Sequence, residues 1–124
     1  MSHISKIEME INDLQALKQA CQILGAEFIA NQKIYKWYSG HNPCDHVIKV
    51  SGANYEVGVI QKGKTYELEW DEYSLGGLIN TLGRNACHLR KHYSLERVKN
   101  EARKKRYQIQ EQTIPNGTRL ILTT

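Results

Sequence analysis

The feature of this sequence that most constrains its fold is the brevity of the connections between its extended runs. Residues 46–50, 55–61 and 65–70 are rich in β-branched and aromatic residues and lie only a few residues apart. Parallel strands need a crossover of a dozen or more residues, whereas antiparallel strands can be joined by a tight turn. These runs therefore predict an antiparallel meander, which a further strand running from residue 27 toward 38 extends.

The residues before this meander predict a strand followed by a helix. Residues 6–11 alternate polar and apolar side chains, which is the period of a half-buried strand. Asn12 or Asp13 then offers a side-chain oxygen to the free amides of a helix start, and Gly25 marks the helix end. The stripe expected to face the core consists of Leu14, Leu17, Cys21 and Leu24.

The residues after the meander return to helical spacing. Apolar residues recur at helical intervals from Ser74 to Leu89, which predicts an amphipathic helix that covers the sheet. A break is predicted at 92–94, and Ser94 is expected to cap a second helix. The buried stripe of that second helix is predicted to be Leu95, Val98 and Ala102.

Two extended runs close the chain and complete the predicted fold. Residues 107–114 and 118–122 flank an Asn-Gly pair, which predicts a hairpin. A chain of 124 residues can bury about two-thirds of its unfolded surface without metal or disulfides. We therefore predict the α+β class, with residues 1–124 as a single domain whose mainly antiparallel sheet has helices packed on one face.

Cysteine usage favours a reducing compartment, and hydropathy predicts neither a membrane span nor a signal peptide. Cys21, Cys44 and Cys87 are odd in number and form no CxxC pair, so neither a disulfide framework nor a zinc ribbon is indicated. No apolar stretch approaches the roughly 20 residues of a membrane span, and the first ten residues lack a signal-peptide core. The expectation is a mature protein in the cytoplasm, with no membrane partner.

The positive charge is concentrated in one predicted helical region. The formal net charge is only +4, but residues 84–106 hold nine basic and two acidic residues, so this segment carries +7 and the remaining chain −3. Such a stripe can neutralise phosphates or carboxylates. Tyr93 and Tyr107, at its edges, could stack on bases. The candidate binding residues are Arg90, Arg97, Lys99, Arg103, Lys104 and Arg106.

Three interpretations of this basic region stay open from the sequence. It is a solvated helix face, a surface for an anionic protein partner, or a surface for nucleic acid. Acidic side chains alternate along the strand at 65–70 and beyond it, and their face is expected to be wet. These acids, Glu67, Glu69, Asp71 and Glu72, could attract the basic helix of another copy and so favour self-association.

Metal and catalytic motifs are weak. His88 and His92 stand four residues apart, as a pair of helical metal ligands would, and His41, Cys44 and His46 lie close together in a predicted loop. Neither spacing matches a familiar metal site, and the chain lacks a nucleophile elbow, a P-loop and a dinucleotide fingerprint. The prediction is an accessory binding domain without enzymatic activity or cofactor, with nucleic-acid binding as the alternative and metal binding as a weaker one.

A family resemblance rests on several segments of the chain. These are Met1-Ser2-His3, residues 55–59 and 66–68, and the closing pattern from Tyr93 through Arg106 into Asn116-Gly117. On these segments the chain resembles the proteins of hypothetical chloroplast open reading frame 35, grouped as domain of unknown function 1257. The resemblance spans essentially the whole chain.

The resemblance implies an occurrence in plastids, cyanobacteria, other bacteria and some phages, and it brings no established activity. It adds the plastid stroma to the expected compartments. The chain departs from the family pattern where a glycine usually precedes the penultimate strand, since Lys105 and Arg106 stand there. The helix is therefore expected to end without its usual left-handed cap residue.

Overall fold

Strands and helices follow one another from residue 4 onward in the computed structural model, which describes residues 4–71 and 76–123. In these ranges the elements are β1 (Ile4–Ile11), α1 (Leu14–Ile23), β2 (Ala26–Ala30), β3 (Ile34–Trp37), β4 (Gly40–Pro43), β5 (His46–Val50), β6 (Val57–Lys62), β7 (Thr65–Asp71), α2 (Leu78–Leu82), α3 (Cys87–Lys104), β8 (Gln108–Ile114) and β9 (Gly117–Thr123).

The main sheet has five strands in the order β1-β7-β6-β5-β2, and every neighbouring pair is antiparallel. The meander predicted from the short connections is therefore confirmed. Gly63 has a positive φ of 65° in the two-residue turn between β6 and β7, where a hairpin of this length needs one. The chain thus has the predicted α+β class.

Both long helices lie on one face of this sheet. Inward-facing side chains of the central strands, including Ile48, Val59 and Leu68, share one core cluster with Leu17 of α1 and Leu89 of α3. Asp13 caps α1, because its Oδ1 accepts a hydrogen bond from the Ala16 N–H at 3.0 Å. Cys21 is fully buried, as its place on the predicted stripe of α1 indicated. No described helix is long and apolar enough to span a bilayer.

The β3–β4 hairpin covers part of the opposite face. Its Tyr35 is fully buried with Cys44 and Val47 in a second small cluster. The Tyr35 ring lies directly over Gly58 on β6, at a distance that leaves no room for a β-carbon. The continuous strand predicted from residue 27 toward 38 is wrong, because Asn31 takes a positive φ of 64° and the chain turns there into β3.

The helical region breaks earlier than the sequence predicted. Gly83, Asn85 and Ala86 all have positive φ, so α2 ends and a separate helix begins at Cys87. From there α3 continues without interruption through 92–94 to Lys104, and the predicted break at that position is wrong. The predicted start at Ser74 lies outside the described residues.

The closing hairpin is confirmed, but its turn differs from the expected one. Ile114 pairs with Gly117, so the two turn residues are Pro115 and Asn116 rather than an Asn-Gly pair. Proline fixes a negative φ, which suits the first turn position and excludes the mirror-image turn that Asn-Gly favours. Among the described strands, β8 and β9 pair only with each other and form a sheet apart from the main one.

Candidate functional site

One side of helix α3 is attached to the start of α1. The Tyr93 hydroxyl accepts hydrogen bonds from the backbone N–H groups of Asn12 and Asp13, at 3.1 and 3.3 Å. Two turns later, Asn100 Nδ2 donates to Gln19 Oε1 at 2.9 Å. These bonds join residues 80 or more positions apart, so they fix which side of α3 faces inward.

A second side of α3 is covered by the β8–β9 hairpin. Lys99 Nζ lies 2.9 Å from Glu111 Oε2 on β8 and 3.9 Å from Glu96 Oε1 on its own helix. The Lys99 side chain is only 15% exposed, and Ala102 is buried one turn further on. The charge of Lys99 is therefore neutralised within the protein, and Lys99 is not available as the binding residue that the sequence predicted.

Arg106 forms the junction between α3 and the hairpin. It has a φ of 59°, its N–H donates to the Arg103 carbonyl at 3.1 Å, and the Tyr107 N–H donates to the Ala102 carbonyl at 2.9 Å. This bond pair defines a Schellman motif, whose left-handed position usually holds glycine. The expectation that the helix would lack this cap is wrong, because Arg106 itself adopts the left-handed conformation.

The remaining surface of α3 is strongly basic over its C-terminal half and the turn that follows. Arg97 and Lys104 lie seven residues apart on this solvent-facing side, and Arg103 donates to Asn100 Oδ1 at 3.0 Å. We call the following set the basic face: Arg97, Arg103, Lys104, Lys105 and Arg106, all of which are exposed.

An open groove of about 330 Å³ adjoins the basic face at Arg97. Its lining includes Tyr93, Ser94, Arg97, Val98 and Glu101. Val98 is 44% exposed, so its predicted place in a buried stripe is wrong. The inward side of α3 carries Leu89, Tyr93 and Glu96 instead.

The predicted binding residues therefore separate into two groups. Exposed ones are Arg97, Arg103, Lys104 and Arg106, with Tyr107 36% exposed beside them. Tyr93 is only 3% exposed, so the prediction that it stacks on bases is wrong. Arg90 is half-buried, and its buried Nε has no hydrogen-bond partner among the described residues.

Two of the acidic side chains of β7 are covered rather than wet. The β3–β4 hairpin contacts Glu69 and Asp71: Glu69 Oε1 accepts from the Tyr35 hydroxyl at 3.1 Å, and Asp71 Oδ2 accepts from the Tyr38 N–H at 3.4 Å. Asp71 is fully buried and Glu67 half-buried. The predicted exposed acidic row is therefore wrong for Asp71, and Glu72 lies outside the described residues.

The histidine and cysteine candidates do not converge. Burial raises the pKa of the Cys44 thiol from 9.0 to about 11, the opposite of what a nucleophile requires. His46 Nδ1 accepts the Asn31 N–H at 3.0 Å, and desolvation lowers the pKa of His46. Desolvation and nearby Lys91 lower the pKa of His92, while His88 is exposed. Within residues 4–71 and 76–123, no three His, Cys, Asp or Glu side chains are grouped to hold a metal ion.

Val98 is a surface residue that the helical spacing of the sequence did not reveal. Two stripes at helical spacing compete on α3, one through Leu95 and Val98 and one through Leu89 and Tyr93. The stripe that includes the aromatic Tyr93 buries the larger side chain. The size of that side chain was the signal that could have identified the inward side.

Comparison with known proteins finds a partial relative. The chain is 31% identical over 71 residues to "Uncharacterized protein ycf35" of Guillardia theta, a match that covers 57% of this chain and 56% of that protein. No family model and no solved structure matches the chain. Little more than half of the relative's length is thus matched, and over that part the similarity supports the resemblance to the chloroplast open reading frame 35 proteins.

Proposed function

We propose that this protein is a binding module that docks an acidic protein partner on the basic face of α3. The observation that carries the proposal is the exposure of five cationic side chains within ten residues, beside an apolar groove. In the described part of the chain none of these five pairs with a carboxylate, whereas Lys49 and Lys99 do.

The positive charges by themselves do not require a binding partner, because cations near a helix C-terminus are favourable without one. The groove adds a second chemical preference. Val98 is apolar and exposed next to Arg97, so a partner that offers carboxylates together with an apolar side chain would bury Val98 and neutralise Arg97 at once. A protein segment supplies that combination.

Nucleic acid is the second candidate, and Tyr107 favours it. Its ring is partly exposed directly after Arg106, so it could stack on a base next to a phosphate contact. The burial of Tyr93 leaves one such ring on this surface where the sequence predicted two. The acidic protein partner is therefore preferred.

The wider assignment follows the partial relative. We propose that the chain belongs to the chloroplast open reading frame 35 family, grouped as domain of unknown function 1257. We place its activity in the cytoplasm or plastid stroma, and we assign it a binding role rather than a catalytic one. The similarity over 71 residues supports the family assignment.

The test compares two labelled probes by fluorescence anisotropy: a peptide of alternating Glu and Leu, and a short oligonucleotide in single-stranded and duplex form. We expect the peptide to bind and its affinity to fall with added salt. The double variant Arg97→Glu/Lys104→Glu should weaken peptide binding by at least about tenfold, because two contacts become repulsive.

The matched control is Lys62→Glu/Lys64→Glu, which reverses two exposed lysines at the β6–β7 turn with the same change in net charge. Peptide binding should survive in this control. Equal loss of peptide binding in both double variants would show that net charge alone causes the loss, and this result would contradict the proposal. Stronger binding of an oligonucleotide than of the peptide, lost in Arg97→Glu/Lys104→Glu, would establish the nucleic-acid alternative instead.

A further inference from the structure

Strand β2 leaves one edge of the main sheet open. It pairs with β5 on one side, and no described strand lies on its other side. An open edge presents backbone N–H and C=O groups that another strand can bind. The only charged residue of β2 is Glu27, which is exposed.

Strand β9 has the composition of a strand that lies inside a sheet. Leu120, Ile121 and Leu122 are consecutive, so apolar side chains point to both of its faces, and Leu122 is 40% exposed. Continuous apolar runs of this kind are typical of strands covered on both faces. A two-stranded hairpin is also marginally stable by itself in water. The only charged residue of β9 is Arg119, which is exposed.

We propose that β9 of one copy pairs with the open edge of β2 in a second copy, so that the protein self-associates through its sheet edges. Opposite charges make the two strands complementary. In a parallel alignment that sets Glu27 beside Arg119, the next three residues of β2 meet three apolar residues of β9: Phe28 with Leu120, Ile29 with Ile121, and Ala30 with Leu122.

The surroundings of β2 leave room for such a strand. A cleft of about 230 Å³ lined by Lys18, Gln22 and Phe28, among others, lies between α1 and β2 on the helical face. On the opposite face, a cleft of about 470 Å³ has Glu27 and Lys49 in its lining. Side chains that alternate along an added strand would therefore find space on either face of the sheet.

Reciprocal pairing closes the assembly as a dimer. Each copy carries one β2 edge and one β9 edge, so a twofold axis that brings both pairs of edges together would close the assembly as a dimer. This contact uses none of the basic-face residues. The failure of one proposal therefore leaves the other standing.

The experiment measures molar mass by light scattering and sedimentation, with reductant present because Cys87 is exposed. We expect the wild type to be dimeric at about 100 μM. Glu27→Arg and Arg119→Glu each place like charges across both strand pairs and should weaken dimerisation by at least about tenfold. An equimolar mixture of these two variants should recover the dimer, because every strand pair then again joins one Glu to one Arg.

Two further variants serve as controls. Lys64→Glu changes an exposed charge away from both edges and should leave the dimer intact, and so should Arg97→Glu/Lys104→Glu on the basic face. A monomeric wild type at every concentration would overturn the proposal. A dimer that neither Glu27→Arg nor Arg119→Glu weakens would do the same, as would a mixture of the two variants that stays monomeric.

Discussion

Arg106 holds a backbone conformation that favours glycine, and this residue turns the chain from α3 into β8. The left-handed region brings the β-carbon of an ordinary residue too close to the neighbouring carbonyl oxygen. The two Schellman hydrogen bonds keep the conformation in place despite this cost. A glycine at this position would be free of the strain.

We expect Arg106→Gly to raise the free energy of unfolding by about 0.5–1 kcal/mol, because relief of the strain exceeds the added flexibility of the unfolded chain. Urea denaturation measures the change. Lys105→Gly is the matched control, since Lys105 has a negative φ of −89° and gains nothing from glycine. Equal stabilisation by both substitutions would contradict this explanation.

Cys21 makes stability depend on alkaline pH. Burial raises the pKa of its thiol from 9.0 to about 12. The thiol therefore stays protonated in the folded protein while the unfolded chain ionises above about pH 9, so stability is present below that pH and is lost as the pH rises toward 12.

Cys21→Ala should flatten this loss by up to about 1.4 kcal/mol per pH unit in that range. Denaturation at pH 8, about pH 9.5 and about pH 10.5 compares the variant with the wild type. Cys44 and Tyr35 titrate in both proteins and cancel in the difference. Parallel stability curves for the two proteins would show that Cys21 does not ionise on unfolding.

At the scale of elements, α3 is oriented by the structures on its two sides. Tyr93 bonds it to the residues that begin α1, and Lys99 bonds it to Glu111 of β8. The Lys99–Glu111 pair spans the helix and the hairpin. The strip of α3 that stays exposed to solvent carries Arg97, Val98 and Lys104.

We expect Tyr93→Phe to lower the free energy of unfolding by about 1–2 kcal/mol, because two partly buried N–H groups lose their acceptor. Thermal denaturation measures it. Tyr107→Phe removes the hydroxyl of a partly exposed side chain and should stay within about 0.5 kcal/mol of the wild type. A Tyr93→Phe protein that is as stable as the wild type would show that these hydrogen bonds do not attach α3.

At the scale of the whole molecule, the two proposed contacts lie on different elements. The basic face belongs to α3 and the turn after it, whereas the strand-edge contact belongs to β2 and β9. Substitutions in the two surfaces should have additive effects on binding and on dimerisation, because additivity holds for sites that share no partners.

Independence of the two surfaces is itself a prediction. Arg97→Glu/Lys104→Glu should weaken peptide binding by at least about tenfold and keep the dimer mass, and Glu27→Arg should keep peptide binding and weaken the dimer by at least about tenfold. Fluorescence anisotropy and sedimentation are measured on four proteins: the wild type, each of the two variants, and the protein that combines all three substitutions. Loss of both activities in either variant would show that peptide binding and dimerisation are coupled.

The local pattern of the sequence was sufficient to predict most helices and strands. Short turns predicted the antiparallel sheet, the stripe through Leu17 and Cys21 predicted α1, and the closing runs predicted the hairpin. These features depend on residues close together in sequence, whose spacing sets the period and the turn. Residues 28 and 37, by contrast, fall in separate strands because Asn31 adopts a left-handed conformation that its neighbours alone do not require.

The sequence by itself determined the α+β class and the concentration of charge between residues 84 and 106. Only the tertiary structure decided which of those charges reach solvent. The rotation of α3 about its axis is set by contacts with residues 12–19 and with β8, far away in sequence, and it buries Tyr93, pairs Lys99 and exposes Val98. Helical spacing permits two inward stripes, and long-range contacts selected one of them.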